Sequence, residues 1–180
     1  MEEKKAVDVC RQFFIGDGAK KLLTPDLTAE QYLQLLVKEK QYVDAIRMLA
    51  FALPTRQAIL WASFCAREFS QANASDKSSA ALETVDKWLA KPSDENRREA
   101  MKAAEQAEFD TPAGSAALAV FFSGGSIAPP DAPVVAPQES LTPNSVFSAV
   151  MLAAVSREPE KAEEKYKAFL TEGQKIAAQP

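Results

Sequence analysis

The sequence predicts an all-α protein, a compact bundle of about eight or nine helices in one domain over residues 1–180. Apolar residues recur three or four positions apart along most of the chain, which is the spacing of one helix face. Alternating runs typical of strands are almost missing, so a βαβ arrangement is not expected. N-capping residues and prolines precede many of the apolar stretches and indicate where helices begin.

The first helices are indicated by a capping motif and by two amphipathic stretches. Residues 1–20 carry a few apolar side chains and are expected to form a short helix that packs on the body of the protein. Thr28 and Gln31 have the spacing of a capping box, in which each side chain accepts a hydrogen bond from the backbone of the other. Apolar residues then follow at helical spacing up to Val37, and again over residues 42–53.

The next stretch predicts the centre of the bundle. Residues 57–69 are apolar nearly all round, as expected for a helix covered by others. Pro54 is predicted to be the first residue of that helix. Proline lacks a backbone N–H, and an N–H at this position would have no hydrogen-bond partner within the helix. The polar residues 70–79 are predicted to form a loop. A further amphipathic stretch, residues 82–89, is predicted to end before a proline.

The second half of the chain continues with capped helices. Ser93 is predicted to cap a helix whose many alanines form a small-residue face that permits close helix approach. The pairs Thr111–Pro112 and Thr142–Pro143 are predicted to begin two more helices. Gly124–Gly125 is predicted to stop the first of these in the left-handed conformation. Pro159 is predicted to open the last helix.

Charge and composition exclude several classes of function. The formal net charge of -4 argues against a nucleic-acid partner, because phosphate binding needs a concentrated positive surface. The chain has no histidine, which removes the commonest general base and zinc ligand. Glu99 lies with Arg98 and Lys102 at spacings typical of a solvent-exposed helix face, so paired catalytic carboxylates are not expected. No metal, cofactor or small-molecule substrate is expected.

The cysteines and the termini suggest a cytoplasmic location. Cys10 and Cys65 lie far apart in apolar helical patterns, so buried free thiols are expected rather than a disulfide, which suits a reducing compartment. The N-terminus lacks the apolar region of a secretory signal. The longest apolar runs are about half as long as a membrane span requires. Membrane contact is therefore not expected.

One segment departs from helix-forming sequence. Residues 123–143, which we call the crossover, are rich in glycine and proline and separate two strongly apolar stretches. The glycines follow a helix instead of preceding one, so a phosphate-binding loop is not expected. The crossover is either a plain connection or a surface that binds another protein, because extended proline-rich backbone loses little entropy on docking. The residues predicted to bind the partner are Phe121, Phe122, Gly124, Gly125, Ile127, Pro129 and Pro130.

The aromatic residues have two interpretations each. Trp61 and Trp88 fall on predicted buried stripes, so core packing is favoured over a role as interface anchors. Phe121 and Phe122 are adjacent, so one of them must face away from the centre of its helix. That ring is either covered by the crossover or available to a partner.

Several stretches together resemble a small bacterial family of helical proteins of unknown function: residues 42–54, 61–67, 109–114 and 121–130. Some members of that family are encoded beside components of type VI secretion. The resemblance implies an accessory, chaperone or adaptor role in that setting and supplies no catalytic residue. Helical immunity proteins have a similar alanine-rich composition, although no motif in this chain matches them.

The leading hypothesis is a non-enzymatic adaptor or chaperone that binds another protein, a type VI secretion effector or spike component. The alternative is an immunity protein that binds and neutralises a toxin, with its acidic surface steering it to a basic partner. The third hypothesis is an enzyme that uses carboxylates or serine. It requires a polar cleft containing acids with strongly shifted pKa values.

Overall fold

The computed structural model describes residues 4–70 and 76–179. Its α-helices there are α1 (Ala6–Cys10), α2 (Asp17–Leu22), α3 (Ala29–Lys38), α4 (Tyr42–Ala52), α5 (Thr55–Ser70), α6 (Asp76–Ala90), α7 (Asp94–Ala107), α8 (Pro112–Phe121), α9 (Leu141–Val155) and α10 (Ala162–Ala177). No sheet forms in these residues, where an isolated bridge pairs Lys5 with Thr28. The predicted all-α bundle is confirmed. None of the helices in the described ranges combines the length and apolar character needed to cross a bilayer.

Local hydrogen bonds explain where several predicted helices begin. The Thr28 hydroxyl accepts from the Gln31 N–H at 3.2 Å, and the Gln31 side-chain oxygen accepts from the Thr28 N–H at 3.0 Å, which is the predicted capping box. The Ser93 hydroxyl caps α7, and the Thr111 hydroxyl caps α8. Each cap satisfies a backbone N–H that the first helical turn leaves without a partner.

Helix α5 lies at the centre of the bundle and packs against α6, α8, α9 and α10. Its Trp61 side chain is fully buried, and the indole N–H donates a 2.8 Å hydrogen bond to the carbonyl of Phe169 in α10. Gly173 lies against the same indole, since a Cβ there would stand 2.9 Å from Trp61 and 2.6 Å from Leu49. Trp88 is buried as well. The predicted core role of both tryptophans is confirmed.

Helices α7, α8 and α9 form the side of the bundle that carries the crossover. The alanines of α7 are buried, which confirms the small-residue face, and α7 packs on α6 and α8. Helices α8 and α9 pack on one another and on α5. Both helices are strongly apolar, yet each keeps half-buried apolar side chains at the surface. This side of the bundle therefore retains apolar surface.

Three predictions for the first half of the chain need correction. The predicted loop at 70–79 is wrong where the chain is described, because α6 begins at Asp76. An acidic residue at a helix N-terminus interacts favourably with the helix dipole, so this polar run is compatible with a helix start; residues 71–75 lie outside the described part. The described part of the N-terminal segment contains two short helices, α1 and α2, rather than one. Pro54 precedes α5 and caps it, its carbonyl accepting from the Ala58 N–H at 2.9 Å.

The limits of the crossover also differ from the prediction. It occupies residues 122–140, because α8 ends at Phe121 and α9 begins before the expected threonine–proline pair. The left-handed residue is Gly125, with φ of 65°, and it lies four positions after the last residue of α8. The glycine pair therefore does not stop α8; Gly125 instead turns the chain within the crossover.

Prolines are tolerated at the start of the last two helices. Helix α9 begins at Leu141 and contains Pro143 in its first turn, where the missing N–H costs no hydrogen bond. Pro159 opens a 3₁₀ turn that leads into α10 at Ala162, so the predicted opening of the last helix is displaced by one turn.

Both cysteines are buried free thiols, as predicted. Burial raises the pKa of Cys10 to about 11, with a smaller contribution from the Asp44 carboxylate. Burial also raises the pKa of Cys65 well above its ordinary value. Both thiols therefore stay protonated near neutral pH, and neither has the thiolate character of a reactive cysteine.

Candidate protein-binding surface

The crossover folds back on itself between α8 and α9. The Ile127 N–H donates to the carbonyl of Val135 at 2.8 Å. The Ser126 hydroxyl accepts from the backbone N–H groups of Ala128 at 3.2 Å and Val135 at 3.1 Å. These hydrogen bonds close residues 129–134 into the tip of a loop.

Arg97 of α7 holds the start of the crossover. Its guanidinium donates to the carbonyls of Phe121 at 2.7 Å and Ser126 at 2.8 Å, and its Cζ lies 4.9 Å from the centroid of the Phe121 ring. The side chain is 4% exposed, so a buried cation satisfies both carbonyls. Gly125 passes close by: a Cβ there would stand 2.9 Å from Arg97 Nη2, and the positive φ favours glycine.

Arg98 and Asp94 complete what we call the Asp94–Arg97–Arg98 cluster. Arg98 donates to the carbonyls of Ala128 at 3.1 Å and Ser126 at 3.2 Å. The Asp94 carboxylate accepts from Arg97 Nε at 3.0 Å and from Arg98 Nε at 2.8 Å. These hydrogen bonds lower the pKa of Asp94, so its carboxylate stays ionised. One carboxylate thus orients two arginines, which in turn hold the crossover.

The cluster was not predicted from the sequence, where the spacing of Arg98 was interpreted as that of a solvent-exposed face. The available signal was the spacing, since Asp94 precedes Arg97 and Arg98 by three and four positions, where all three side chains can meet. The same spacing is common on exposed helices. Nothing local indicated that carbonyls about 30 residues further along the chain would take the remaining N–H groups.

The crossover brings the predicted binding residues together but does not expose all of them. Exposed or partly exposed are Phe122, Gly124, Gly125, Ile127, Pro129 and Pro130. Phe121 is buried beneath the guanidinium of Arg97, so its inclusion in the binding surface is corrected. Of the adjacent phenylalanines, Phe122 is therefore the one that keeps access to a partner.

The most exposed apolar side chains of the crossover are absent from that prediction. Val134 is 82% exposed and Val135 is 49% exposed. A shallow pocket of about 520 Å³ lies between the loop tip and the side chains of Asp94 and Arg98. The signal was present in the sequence, because two valines between prolines have no helical face to join.

The α7–α8 turn, residues 108–111, presents another aromatic side chain, Phe109. The Thr111 hydroxyl accepts from the Gly114 N–H at 3.0 Å, and the Ser115 hydroxyl donates to the Phe109 carbonyl at 2.7 Å. Glycine is required at 114, because a Cβ would stand 1.9 Å from the first carbonyl oxygen of the turn. The backbone of Phe109 is thus held while its side chain remains 45% exposed.

A groove of about 550 Å³ lies between α8 and α9, which we call the α8–α9 groove. Its main apolar side chains are Phe109, Leu118, Phe122, Phe147, Met151 and Leu152. Serines and an asparagine contribute to the remaining lining, which also includes Asp110. The lining includes Phe122, the first residue of the crossover, and Leu141, which follows its last residue, so the groove reaches both ends of the crossover.

Two of the acidic side chains of α7 form ion pairs. Asp94 bonds to its two arginines, and Glu99 accepts from Lys87 Nζ at 2.7 Å. Within residues 4–70 and 76–179, no group of three or more cysteine, aspartate or glutamate side chains lies close enough to hold a metal ion.

The segments that carry the family resemblance correspond to α4, to α5, to the α7–α8 turn and to the start of the crossover. A model of a family of unknown function, DUF6931, matches residues 32–177. The chain belongs to that family. Membership in DUF6931 confirms the predicted relation to a family of unknown function. A search of curated proteins and a search of solved structures each found no match.

The matched region has a direct structural meaning. It begins within α3 and ends with α10, and so contains both connections of α8. The α7–α8 turn and the crossover therefore both lie in the part of the chain that the DUF6931 model describes. The N-terminal helices α1 and α2 lie before it.

Proposed function

We propose that this member of DUF6931 acts by binding another protein, as an adaptor or chaperone and not as an enzyme. The binding surface consists of the crossover tip and the adjacent α8–α9 groove. The observation that carries the proposal is the crossover held by the Asp94–Arg97–Arg98 cluster with Val134 and Val135 exposed. Burial of exposed apolar side chains by a partner lowers the free energy and so favours binding. A loop already held in one conformation loses less entropy on binding.

The partner that we propose is a type VI secretion effector or spike component, kept covered in the bacterial cytoplasm until delivery. Support for this partner comes from the family resemblance, because some members of the family that the chain resembles are encoded beside such components. Support for a contact role comes from the exposed apolar side chains of Val134 and Val135 on the crossover and of Phe109 in the α8–α9 groove.

The proposal is tested with a photo-crosslinking amino acid in place of Val134, used in the native host to identify the partner. The affinity of that partner is then measured for purified variants. The double substitution Val134→Ser and Val135→Ser is expected to weaken binding at least about tenfold, because exposed apolar anchors dominate interfaces. Val43→Ser, at an exposed apolar position of α4, is the matched control and should bind like the wild type.

Point substitutions are sharper than deletion of the loop. Removing residues 126–138 would also remove the carbonyls of Ser126 and Ala128, which accept from Arg97 and Arg98. A deletion therefore disturbs α7 as well as the surface. The two valines make no such contacts with their side chains and should leave the melting temperature unchanged.

The effect of this protein on its partner distinguishes the adaptor or chaperone role from the immunity alternative. The formal net charge of -4 favours a basic partner, which a nuclease-type toxin would be. A chaperone raises the amount or the secretion of its partner, whereas an immunity protein restores growth to cells that make the toxin. A partner that binds all crossover and groove variants as well as the wild type would refute the proposed surface. Substrate turnover by the purified protein would refute the non-enzymatic role.

A further inference from the structure

The α8–α9 groove is lined by two apolar stripes. Leu118 of α8 lies four positions before Phe122, the C-cap residue that continues the helical conformation, and Phe147 and Met151 of α9 have the same spacing. Side chains four positions apart lie above one another on a helix face. The stripes therefore follow the two helix axes, and the space between them is a trough parallel to the helices.

The size and the walls of this trough suit a guest helix. Helix α8 has 10 residues, and at 1.5 Å per residue it is about 15 Å long. The groove extends past the start of α8 to Phe109. A guest helix of about 11–14 residues spans that length. An extended strand would find no partners for its backbone, because the N–H and C=O groups of α8 and α9 bond within their own helices.

The α7–α8 turn places negative charge at one end of the groove. Asp110 lines the groove there, and Glu108 belongs to the same turn. Both side chains are exposed, and neither forms an ion pair with any residue in 4–70 or 76–179. A cation on a partner would therefore be attracted to this end.

The chain segment before the other end of the groove also carries a carboxylate. Glu139 lies two positions before Leu141, which lines the groove beside the crossover, and Glu139 is exposed without an ion pair among the described residues. Among the described residues that line the groove, none is a lysine or an arginine. Arg47 contacts one of the lining residues, with Cζ 3.9 Å from the centroid of the Phe147 ring. The carboxylate of Asp110 thus lines the groove at the α7–α8 turn, and Glu139 lies in the chain segment that leads to the groove at the crossover end.

From these observations we infer that the α8–α9 groove binds an amphipathic helix of the partner protein, with an apolar face and with lysine or arginine near each end. The apolar face covers the two stripes, as in other helix-in-groove complexes, where anchors recur at three- and four-residue spacing. The basic ends pair with Asp110 and Glu139. This inference rests on the proposed protein-binding function and names the part of the partner that is recognised.

The probe for this inference is a fluorescent helical peptide of about 14 residues, with leucines at helical spacing on one face and lysines near both ends. A second peptide has glutamate in place of each lysine, and a third has the apolar positions scrambled. Fluorescence anisotropy measures binding to the full-length protein. The lysine peptide should bind at least about tenfold more tightly than either control at low salt, and its advantage over the glutamate peptide should narrow as salt is added.

Substitutions in the protein test the same contacts as the changes in the peptide. Asp110→Lys combined with Glu139→Lys should reverse the preference between the lysine and glutamate peptides. Glu160→Lys combined with Glu164→Lys, at two exposed positions away from the groove lining, gives the same change of charge and should not reverse it. Ser148→Tyr fills the groove from an exposed position without removing a core side chain, and should abolish peptide binding while circular dichroism and the melting temperature stay unchanged.

Equal binding of the lysine and glutamate peptides, or binding unaffected by Ser148→Tyr, would overturn the inference. So would a wild-type dimer that dissociates in Ser148→Tyr, because a second copy would then occupy the groove. If the crosslinked partner loses affinity for the Val134→Ser and Val135→Ser variant but not for Ser148→Tyr, the groove inference fails and the proposed function stands. If that partner responds to neither change, both fail.

Discussion

The two connections of α8 are held in different ways. The α7–α8 turn is held by its neighbours in sequence, with the Thr111 hydroxyl accepting from Gly114 three positions later. The crossover is held by Arg97 and Arg98, which act on carbonyls up to 30 positions away. A short turn can specify its own conformation, whereas a long loop depends on side chains from another helix.

This difference predicts how each connection responds to substitution. Damage to the α7–α8 turn displaces the start of α8, which packs on α5, α7 and α9, so the whole bundle should lose stability. Damage to the Asp94–Arg97–Arg98 cluster can be relieved by opening the crossover towards solvent. Its cost is therefore limited to the free energy of detaching that loop.

The largest effect is expected for Gly114→Ala. Alanine favours a helix by about 1 kcal/mol, but its Cβ would stand 1.9 Å from the Glu108 carbonyl oxygen, so the turn must move. We expect a loss of about 3 kcal/mol in the free energy of unfolding, measured by urea denaturation. Gly124→Ala is the control, because nothing lies within 4 Å of that Cβ position. Equal stability of the two variants would contradict the tight turn.

The next largest loss of stability is expected for Arg97→Ala. The carbonyls of Phe121 and Ser126 lose a buried donor, and the loss of global stability should be about 2 kcal/mol. The crossover should also become the first site of limited proteolysis. Arg98→Ala should cost less, since Arg98 is more exposed and its hydrogen bonds to the crossover are longer. A protease-resistant crossover in Arg97→Ala would show that the cluster does not hold it.

Gly125→Ala tests the turn inside the crossover. A φ of 65° is unfavourable for alanine by about 1–2 kcal/mol, and the new Cβ would press on the guanidinium of Arg97. The adjacent Gly124→Ala again provides the control. Hydrogen exchange of the crossover amides should increase in the first variant and remain as in the wild type in the second.

The smallest effect is expected for Asp94→Asn, and it should depend on pH. Hydrogen bonds from Arg97 and Arg98 lower the pKa of Asp94 in the folded protein. Its stabilisation is therefore complete above the unfolded pKa, about 4, and is lost as pH falls through the lower folded value. The wild type should exceed the variant in stability near neutral pH, and the difference should shrink below about pH 4. Because Asp94 is largely exposed, solvent screening keeps the effect small. A difference that persists in acid would refute the role of the charge.

The surface was predicted only in part. Proline and glycine content located the crossover. Phe122 is partly exposed to solvent, and Pro129 and Pro130 are exposed, as expected. Phe121 was assigned to the surface because adjacent residues of an apolar helix end cannot be told apart by periodicity. The α8–α9 groove, including Phe109, was not predicted, because it arises from the packing of two helices that are both apolar on most sides.

Local patterns were enough to predict the helices and most of their starts, because periodicity and N-caps such as Thr28 and Ser93 act within a few residues. Which apolar faces remain exposed, and how the crossover is held, became apparent from the packing of the helices. Those features depend on contacts between residues far apart in the chain, such as Arg97 with Ser126. Local sequence patterns do not show which residues far apart in the chain come into contact. The same arginine could therefore face solvent or hold a loop, and the packing of the helices decides which.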